Sequence, residues 1–245
     1  MRDLHYQQEA NLANDHWWFV SRRKIIEKIM GRFLAPCADR ELLEVGCGSG
    51  FNLIMLERFG RVHALEMSPS AAARARERAP QSKVDVGLIP MTLDHKYDVI
   101  CLFDVLEHIE DEPVAINWLH EHLRPGGQIF VTVPAYQFLW TEYDVAAHHY
   151  RRYTRSDLIA SLGNRFSVDY ATYFNTHLFP IVAVVRVFRH LFGLKSGERD
   201  TSIGSTGLTN ILLRKIFSSE LHWLPGIRLP FGVSILLAAR KTSEQ

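Results

Sequence analysis

The sequence predicts an α/β fold, a mostly parallel sheet with helices on both faces. Three observations predict it. From residue 41 to residue 134, short apolar runs alternate with segments of helical periodicity. A glycine-rich turn, Glu44-Val45-Gly46-Cys47-Gly48-Ser49-Gly50, joins the first apolar run to the next helical segment. The 245 residues are 47% hydrophobic and 22% charged, enough apolar material for one large core or a core with an appended subdomain.

The elements follow in order. Residues 15–34 read as a helix carrying Trp17, Trp18, Ile25, Ile26 and Ile29 among basic residues, with a Pro-containing loop at 35–40. Residues 1–40 are thus expected to form an N-terminal helical cap. The runs 41–45, 61–66, 82–86, 97–103 and 127–133 read as strands, with helical patterns at 51–59, 69–79 and 112–123 between them. Ser68-Pro69 is a start signal, an N-cap followed by proline at the first helical position. Strands alternating with helices argue parallel pairing through right-handed crossovers. Arg124-Pro125-Gly126-Gly127 is a turn that ends one helix and feeds a strand.

After residue 134 the pattern changes. Thr154-Arg155-Ser156-Asp157 is a capping box that opens a helix running to 163. A strand is expected at 166–173, an apolar helical segment at 176–192, a polar loop at 195–206, a helix at 208–218 and a last buried strand at 231–239. The core domain is accordingly 41–175 with 228–241, and 176–227 is a helical insertion or lid before the last strand. Segment 176–192 puts Arg186, Arg189 and His190 on one side, with Ile181, Val182, Val185 and Phe192 elsewhere. It is read as a buried insertion helix. A lid over an apolar acceptor, a homodimer interface and peripheral membrane contact are the sharper readings. Its two arginines argue against a spanning helix.

Charge and cysteine content exclude some classes. With 28 basic and 27 acidic residues the net charge is +1, so no general drive toward nucleic acid is expected. Cys37, Cys47 and Cys101 are too few and too scattered for a disulfide framework or a zinc site. No apolar run follows a basic start at Met1-Arg2-Asp3-Leu4-His5, so no secretory leader is expected and the default compartment is the cytoplasm.

The glycine turn carries the strongest chemistry. Glycine tolerates positive φ there and lets a ligand approach the backbone, and the following helix N-terminus offers free amides. A dinucleotide fingerprint wants G-x-G-x-x-G. Here the third glycine, Gly50, arrives one position early, so a nucleoside with a short amino-acid tail fits better than a dinucleotide. Glu66 ends the second run, 20 residues after Gly46, where a carboxylate can accept both hydroxyls of a ribose.

Four motifs in order support a family resemblance. Glu44–Gly50, Glu66, the run Tyr97–Ile109 and Leu123–Gly127 together resemble the class I S-adenosylmethionine-dependent methyltransferases over residues 40–135. The likeness is nearest to a small-molecule branch that includes ubiquinone-biosynthesis O-methyltransferases. His16–Phe19 and His149–Thr154 also resemble bacterial members whose acceptors are uncharacterised, and 174–180 and 230–232 do so less specifically. The resemblance implies a Rossmann-like, seven-stranded sheet whose last strand is antiparallel. It implies S-adenosylmethionine as cofactor, with S-adenosylhomocysteine as its product. Gly46, Gly48 and Gly50 would line the methionine part, Glu66 the ribose, and Asp104 with Val105 the far wall, and Glu44 and Cys47 of the same turn count among the cofactor-binding residues. One departure is that Leu88 follows Gly87, where many relatives carry an acid for the adenine amine. Adenine recognition is therefore assigned to backbone groups with Met67 and Leu88, and Asp85 is a weaker candidate.

On the acceptor side the expected chemistry is methyl transfer to a small-molecule or lipid-linked acceptor, O-methylation first. A hydroxyl acceptor would benefit from a general base. Glu107 and His108 follow the fourth strand, at the edge where open α/β sheets bind ligands. His148 and His149 precede Arg151, Arg152 and Tyr153. His149, His108 and Glu107 are the catalytic candidates, and Arg151, Arg152 and Tyr153 the substrate-binding ones, an arginine pairing with a carboxylate or phosphate. Solvated polar loops are the plain alternative for both clusters. No metal is expected, because the spacing of Glu107, His108, His148 and His149 matches no metal motif. The alternative function is a non-catalytic S-adenosylmethionine-binding partner or regulatory protein.

Overall fold

The computed structural model describes residues 14–192 and 207–242. The loop expected at 195–206 lies outside the described residues, as do residues 1–13 of the cap. Seven strands form one sheet in the order β3-β2-β1-β4-β5-β7-β6. They are β1 (Glu41–Val45), β2 (Arg61–Glu66), β3 (Lys83–Val86), β4 (Tyr97–Phe103), β5 (Leu123–Pro134), β6 (Phe166–Phe174) and β7 (Ser234–Lys241). Strands β1 to β5 pair in parallel, while β7 lies antiparallel between β5 and β6.

Side chains alternate across the strands, so each strand serves two cores. In β4, Val99, Cys101 and Phe103 join a cluster with Ile25, Ile29 and Met30 of α1 (Trp17–Phe33) and Ala72 and Ala75 of α3 (Pro69–Arg78). Ile100 and Leu102 face the other way, toward Ile116 and Leu119 of α4 (Glu112–His122) and Leu158 and Leu162 of α6 (Arg155–Leu162). Both faces of the sheet are thus covered. The start signals act as read: Ser68 Oγ accepts from Ala71 N at 3.3 Å, and Thr154 and Asp157 form a reciprocal capping box.

Four expectations are corrected. The helix at 51–59 shrinks to α2 (Leu53–Leu56), because past it Arg58 N and Phe59 N bond only three residues back, to Met55 O and Leu56 O, in tighter turns. Strand β5 begins at Leu123, so the Arg124–Gly127 turn sits inside an irregular stretch of its pairing with β4. The last strand is displaced to Ser234–Lys241 from 231–239, and 231–233 leads into it. Most consequentially, α7 (Phe179–Leu191) has no buried residue, against the expectation of a buried insertion helix. It meets the body through Phe179 and through Arg186, whose Nη1 donates to Leu139 O at 2.6 Å.

Helix α8 (Gly207–Ser218) packs on α1 instead, Phe217 lying 5.3 Å from the ring of Trp18. The two ends of the excursion between β6 and β7 are tied by buried Glu220. Its carboxylate accepts from the backbone N–H groups of Asn175, Thr176 and His177 at 2.7, 2.6 and 3.0 Å.

Candidate functional site

The parallel strands end at one edge, and the glycine turn leaves β1 there. Gly46 and Cys47 donate their N–H groups to Leu65 O at 2.8 and 3.1 Å, which fixes the turn against β2. Gly46 has φ +71°, and a Cβ on it would stand 2.7 Å from Val105 Cγ2, so Val105 is the wall beside the turn. Gly48 has φ +55°, and a Cβ there would meet nothing within 4 Å. That open space is where a ligand can lie against backbone. Cys47 is buried, and burial pushes its thiol up, so it packs rather than reacts.

Two acids flank the turn. Glu66 is buried, and its Oε2 and Oε1 accept from Gly48 N and Ser68 N, each at 2.8 Å. Each oxygen keeps a lone pair for a further donor. Glu44 is fully buried, and its Oε1 accepts from Asn52 while its Oε2 has no partner. Burial raises its pKa to about 7, against the opposing hydrogen bond from Asn52 and the charge of Arg22.

Arg22 comes from α1, and nothing in its local sequence marks it as a site residue. Its Nη2 donates to Thr132 Oγ1 and pairs with Asp104 Oδ2, both at 2.7 Å, and its Nε has no partner. Asp104 sits at φ +59° just past β4 and also accepts from Thr132 Oγ1 at 3.0 Å. Met67 and Leu88 lie exposed beyond β2 and β3, 41% and 57% accessible. Asp85 does not join them. It is held by Lys83 at 2.7 Å and His63 at 2.9 Å, and the hydrogen bond from Lys83 helps hold its carboxyl below the usual range.

These observations test the fit of an S-adenosyl amino acid. A buried carboxylate oxygen and a buried guanidinium nitrogen lack partners on either side of an open glycine turn. An ammonium and a carboxylate on one ligand would satisfy both. The residues fit the group.

The acceptor edge is built around a residue absent from the sequence expectations. Asp144, from α5 (Glu142–Ala146), is fully buried. His149 Nδ1 lies 2.8 Å from its Oδ1, and Arg152 forks onto it, Nε to Oδ1 at 2.8 Å and Nη2 to Oδ2 at 2.9 Å. Burial alone would raise the Asp144 pKa, but these hydrogen bonds win and hold it well below the carboxylate range. An ionised Asp144 only accepts, so Nδ1 of His149 is the donor and Nε2 faces away. Asp144 precedes His149 by 5 residues and Arg152 by 8, a spacing that could have pointed to it.

Glu107 is also fully buried, and neither carboxylate oxygen has a partner. Burial first and Asp104 second push its pKa well above the ordinary value. The rings of His108 and His149 meet edge to face at 4.5 Å. One ligand atom from each of Glu107, His108 and His149 lies within 4.8 Å of the others.

The three expected substrate contacts are already engaged by the protein. Arg152 serves Asp144, Arg151 donates to Glu112 at 3.3 Å and to Glu110 O at 2.7 Å, and buried Tyr153 donates to Glu112 at 2.8 Å. His148 is exposed at φ +58° and turns the chain into His149.

Comparison with known proteins converges on one family. A family model described as a methyltransferase domain matches residues 8–172. A probable S-adenosylmethionine-dependent methyltransferase of Mycolicibacterium smegmatis is 31% identical over 126 residues, 50% of this chain and 48% of that protein. A ubiquinone biosynthesis O-methyltransferase of Pseudomonas aeruginosa is 29% identical over 106 residues, 40% of this chain and 46% of that protein. The chain thus spans about half the length of the curated relatives it matches. An N-methyltransferase of Bradyrhizobium japonicum, solved with S-adenosyl-L-homocysteine, superposes with a TM-score of 0.58 at 14% identity, covering 97% of this chain and 98% of that one. With this fold, the glycine turn and the two flanking acids in place, the chain belongs to the methyltransferase-domain family, in the class I S-adenosylmethionine-dependent group.

Proposed function

We propose that the protein methylates a hydroxyl on an apolar small-molecule or lipid-like acceptor, with His149 as general base. The observation that carries this reading is the buried Asp144–His149 pair. Asp144 fixes the ring and tautomer of His149, so Nε2 is left to take a proton. When bound, S-adenosylmethionine supplies a methyl group made electrophilic by its sulfonium. Glu44 and Arg22 would hold the amino and carboxylate ends of its methionine part, and Gly48 its backbone-facing side. Glu66 would take the ribose hydroxyls, Val105 would wall the pocket, and Met67 with Leu88 would pack on the adenine. Glu107, buried beside His149, would in its protonated form donate a hydrogen bond toward the acceptor oxygen. Arg151, Arg152 and Tyr153 frame the site through Asp144 and Glu112 rather than gripping the acceptor.

An apolar acceptor is supported by the aromatic wall next to this pair. Tyr136 stacks on Tyr173 at 5.1 Å and meets Phe138 and Phe179 at 5.3 and 5.5 Å. Phe138 and Phe231 remain 53% and 39% exposed. The same loop continues to Trp140, whose ring lies 6.4 Å from His149.

Purified protein is incubated with methyl-labelled cofactor and an extract of metabolites and lipids. Label is expected in the methyl group of a methyl ether on an apolar product. His149→Ala should lower kcat by about 10²–10⁴-fold, and Asp144→Asn should lower it as well by releasing the ring, both with cofactor affinity near that of the parent. A labelled methyl bound to nitrogen or carbon would overturn the O-methylation reading, and one in a methyl ester would overturn the hydroxyl acceptor. Tight cofactor binding with no transfer to any fraction would favour the non-catalytic binder.

A further inference from the structure

Helix α7 turns its apolar side away from the protein. Ile181, Val184, Val185, Phe188, Leu191 and Phe192 recur at i, i+3, i+4 spacing and form one stripe. Their exposure runs from 43% at Val185 to 74% at Leu191. Helix α8 repeats the arrangement, with Leu208, Ile211 and Leu212 exposed by 84%, 52% and 58%. A chain whose only contact is water rarely presents two such stripes on neighbouring elements of its sequence.

Charge selects the occupant. The whole chain is balanced, 28 basic against 27 acidic residues, but this region is not. Residues 170–200 carry Arg186, Arg189, Lys195 and Arg199 against Glu198 and Asp200. Residues 201–219 contain no Asp or Glu and carry Arg214 and Lys215, with Lys215 exposed one turn beyond Leu212 on the same stripe. Exposed apolar stripes in a segment with a cationic surplus are the signature of a helix lying in the interface of an anionic bilayer. A second copy of the chain would instead set the same cationic surplus against itself. Among the described residues no helix is long and apolar enough to cross a membrane, so contact is in the plane of the surface.

We infer that the outward stripes of α7 and α8 dock the protein on an anionic lipid surface. The docking face adjoins the acceptor edge: α7 opens with Phe179 against Tyr136 at 5.5 Å, and Arg186 holds Leu139, next to Trp140. A bilayer at this face would bring apolar acceptors to the aromatic wall without passage through water. The inference stands apart from the methyl-transfer reading, because binding to lipid needs neither cofactor nor acceptor.

The test is co-sedimentation of the full chain with vesicles of phosphatidylcholine alone or mixed with phosphatidylglycerol. The parent should sediment with the mixed vesicles and much less with phosphatidylcholine, and high salt should weaken the binding. Phe188→Asp with Leu191→Asp should cut partitioning at least about tenfold while melting temperature and cofactor affinity stay parental. Leu191→Ser alone serves if the double variant fails to fold, and should cut it less but measurably. A parent that stays in the supernatant with anionic vesicles overturns the inference. So does a stable dimer that the double variant abolishes, because a second copy would then cover the face.

Discussion

Glu44 is an acid that the folded protein holds mostly protonated up to about pH 7, beside a glycine turn that accepts a charged ligand. The unfolded chain ionises a glutamate at its ordinary value near 4.5. The folded state therefore binds the extra proton between those values, and the stability tied to this group is full at low pH and falls as pH rises toward 7. The loss is roughly 3 kcal/mol. Glu44→Gln should remove that slope, so that urea unfolding at about pH 5 and about pH 8 yields more similar stabilities than in the parent. The same change should weaken S-adenosylmethionine binding, since the amide cannot neutralise an ammonium. A variant with the parent's pH slope and affinity would show that Glu44 does neither. The acids and glycines of this half were legible because one continuous segment and one strand end carry them. Arg22 was not legible, because it meets Thr132 across 110 residues of sequence and local pattern cannot report such a contact. Nor was the pairing of Arg152, whose guanidinium is claimed by Asp144 before any substrate arrives.

Among the elements, α1 has the largest influence on a site it does not flank in sequence. Its Trp17 and Trp18 seat on Phe217 of α8 at 6.0 and 5.3 Å, and its Arg22 reaches Asp104 at the end of β4. Phe217 is fully buried, so Phe217→Ala should destabilise the protein by about 3–5 kcal/mol. By loosening α1 it should also weaken cofactor binding, which a titration under native conditions would show. Parental affinity together with lost stability would separate α1 from the ligand site. Strands were the most legible elements, since a run buried on both faces has few alternatives between turn signals. Helix α7 was the least legible in orientation. Periodicity tells which residues share a side of a helix, but not whether that side meets protein or solvent. Helix α2 was overestimated because the apolar pattern runs on to Phe59 through turns that bond three residues back rather than four.

At the scale of the molecule, folding and ligand capture share the same sheet edge, so ligand should read out as stability. S-adenosylmethionine and S-adenosylhomocysteine at a hundredfold excess over Kd should stabilise by about 2.7 kcal/mol and raise Tm, whereas NAD should leave it unmoved. A shift with NAD alone would contradict the glycine spacing and the pairing assigned to Glu44 and Arg22. The antiparallel course of β7 has a consequence of another kind. Phe174 and Pro134 both stand opposite Ser234, so the chain leaves the sheet after β6 and re-enters at β7 along the edge that also carries the glycine turn. Whatever is spliced between those two points lands beside the acceptor side and leaves the cofactor half of the sheet uncut. The excursion is nevertheless not a free insert: its α8 seats α1 through Phe217 and Asn210, so an exchange of residues 175–233 has to keep α8 for Arg22 to stay at Asp104, whereas α7, which has no buried residue, is the part that can be replaced.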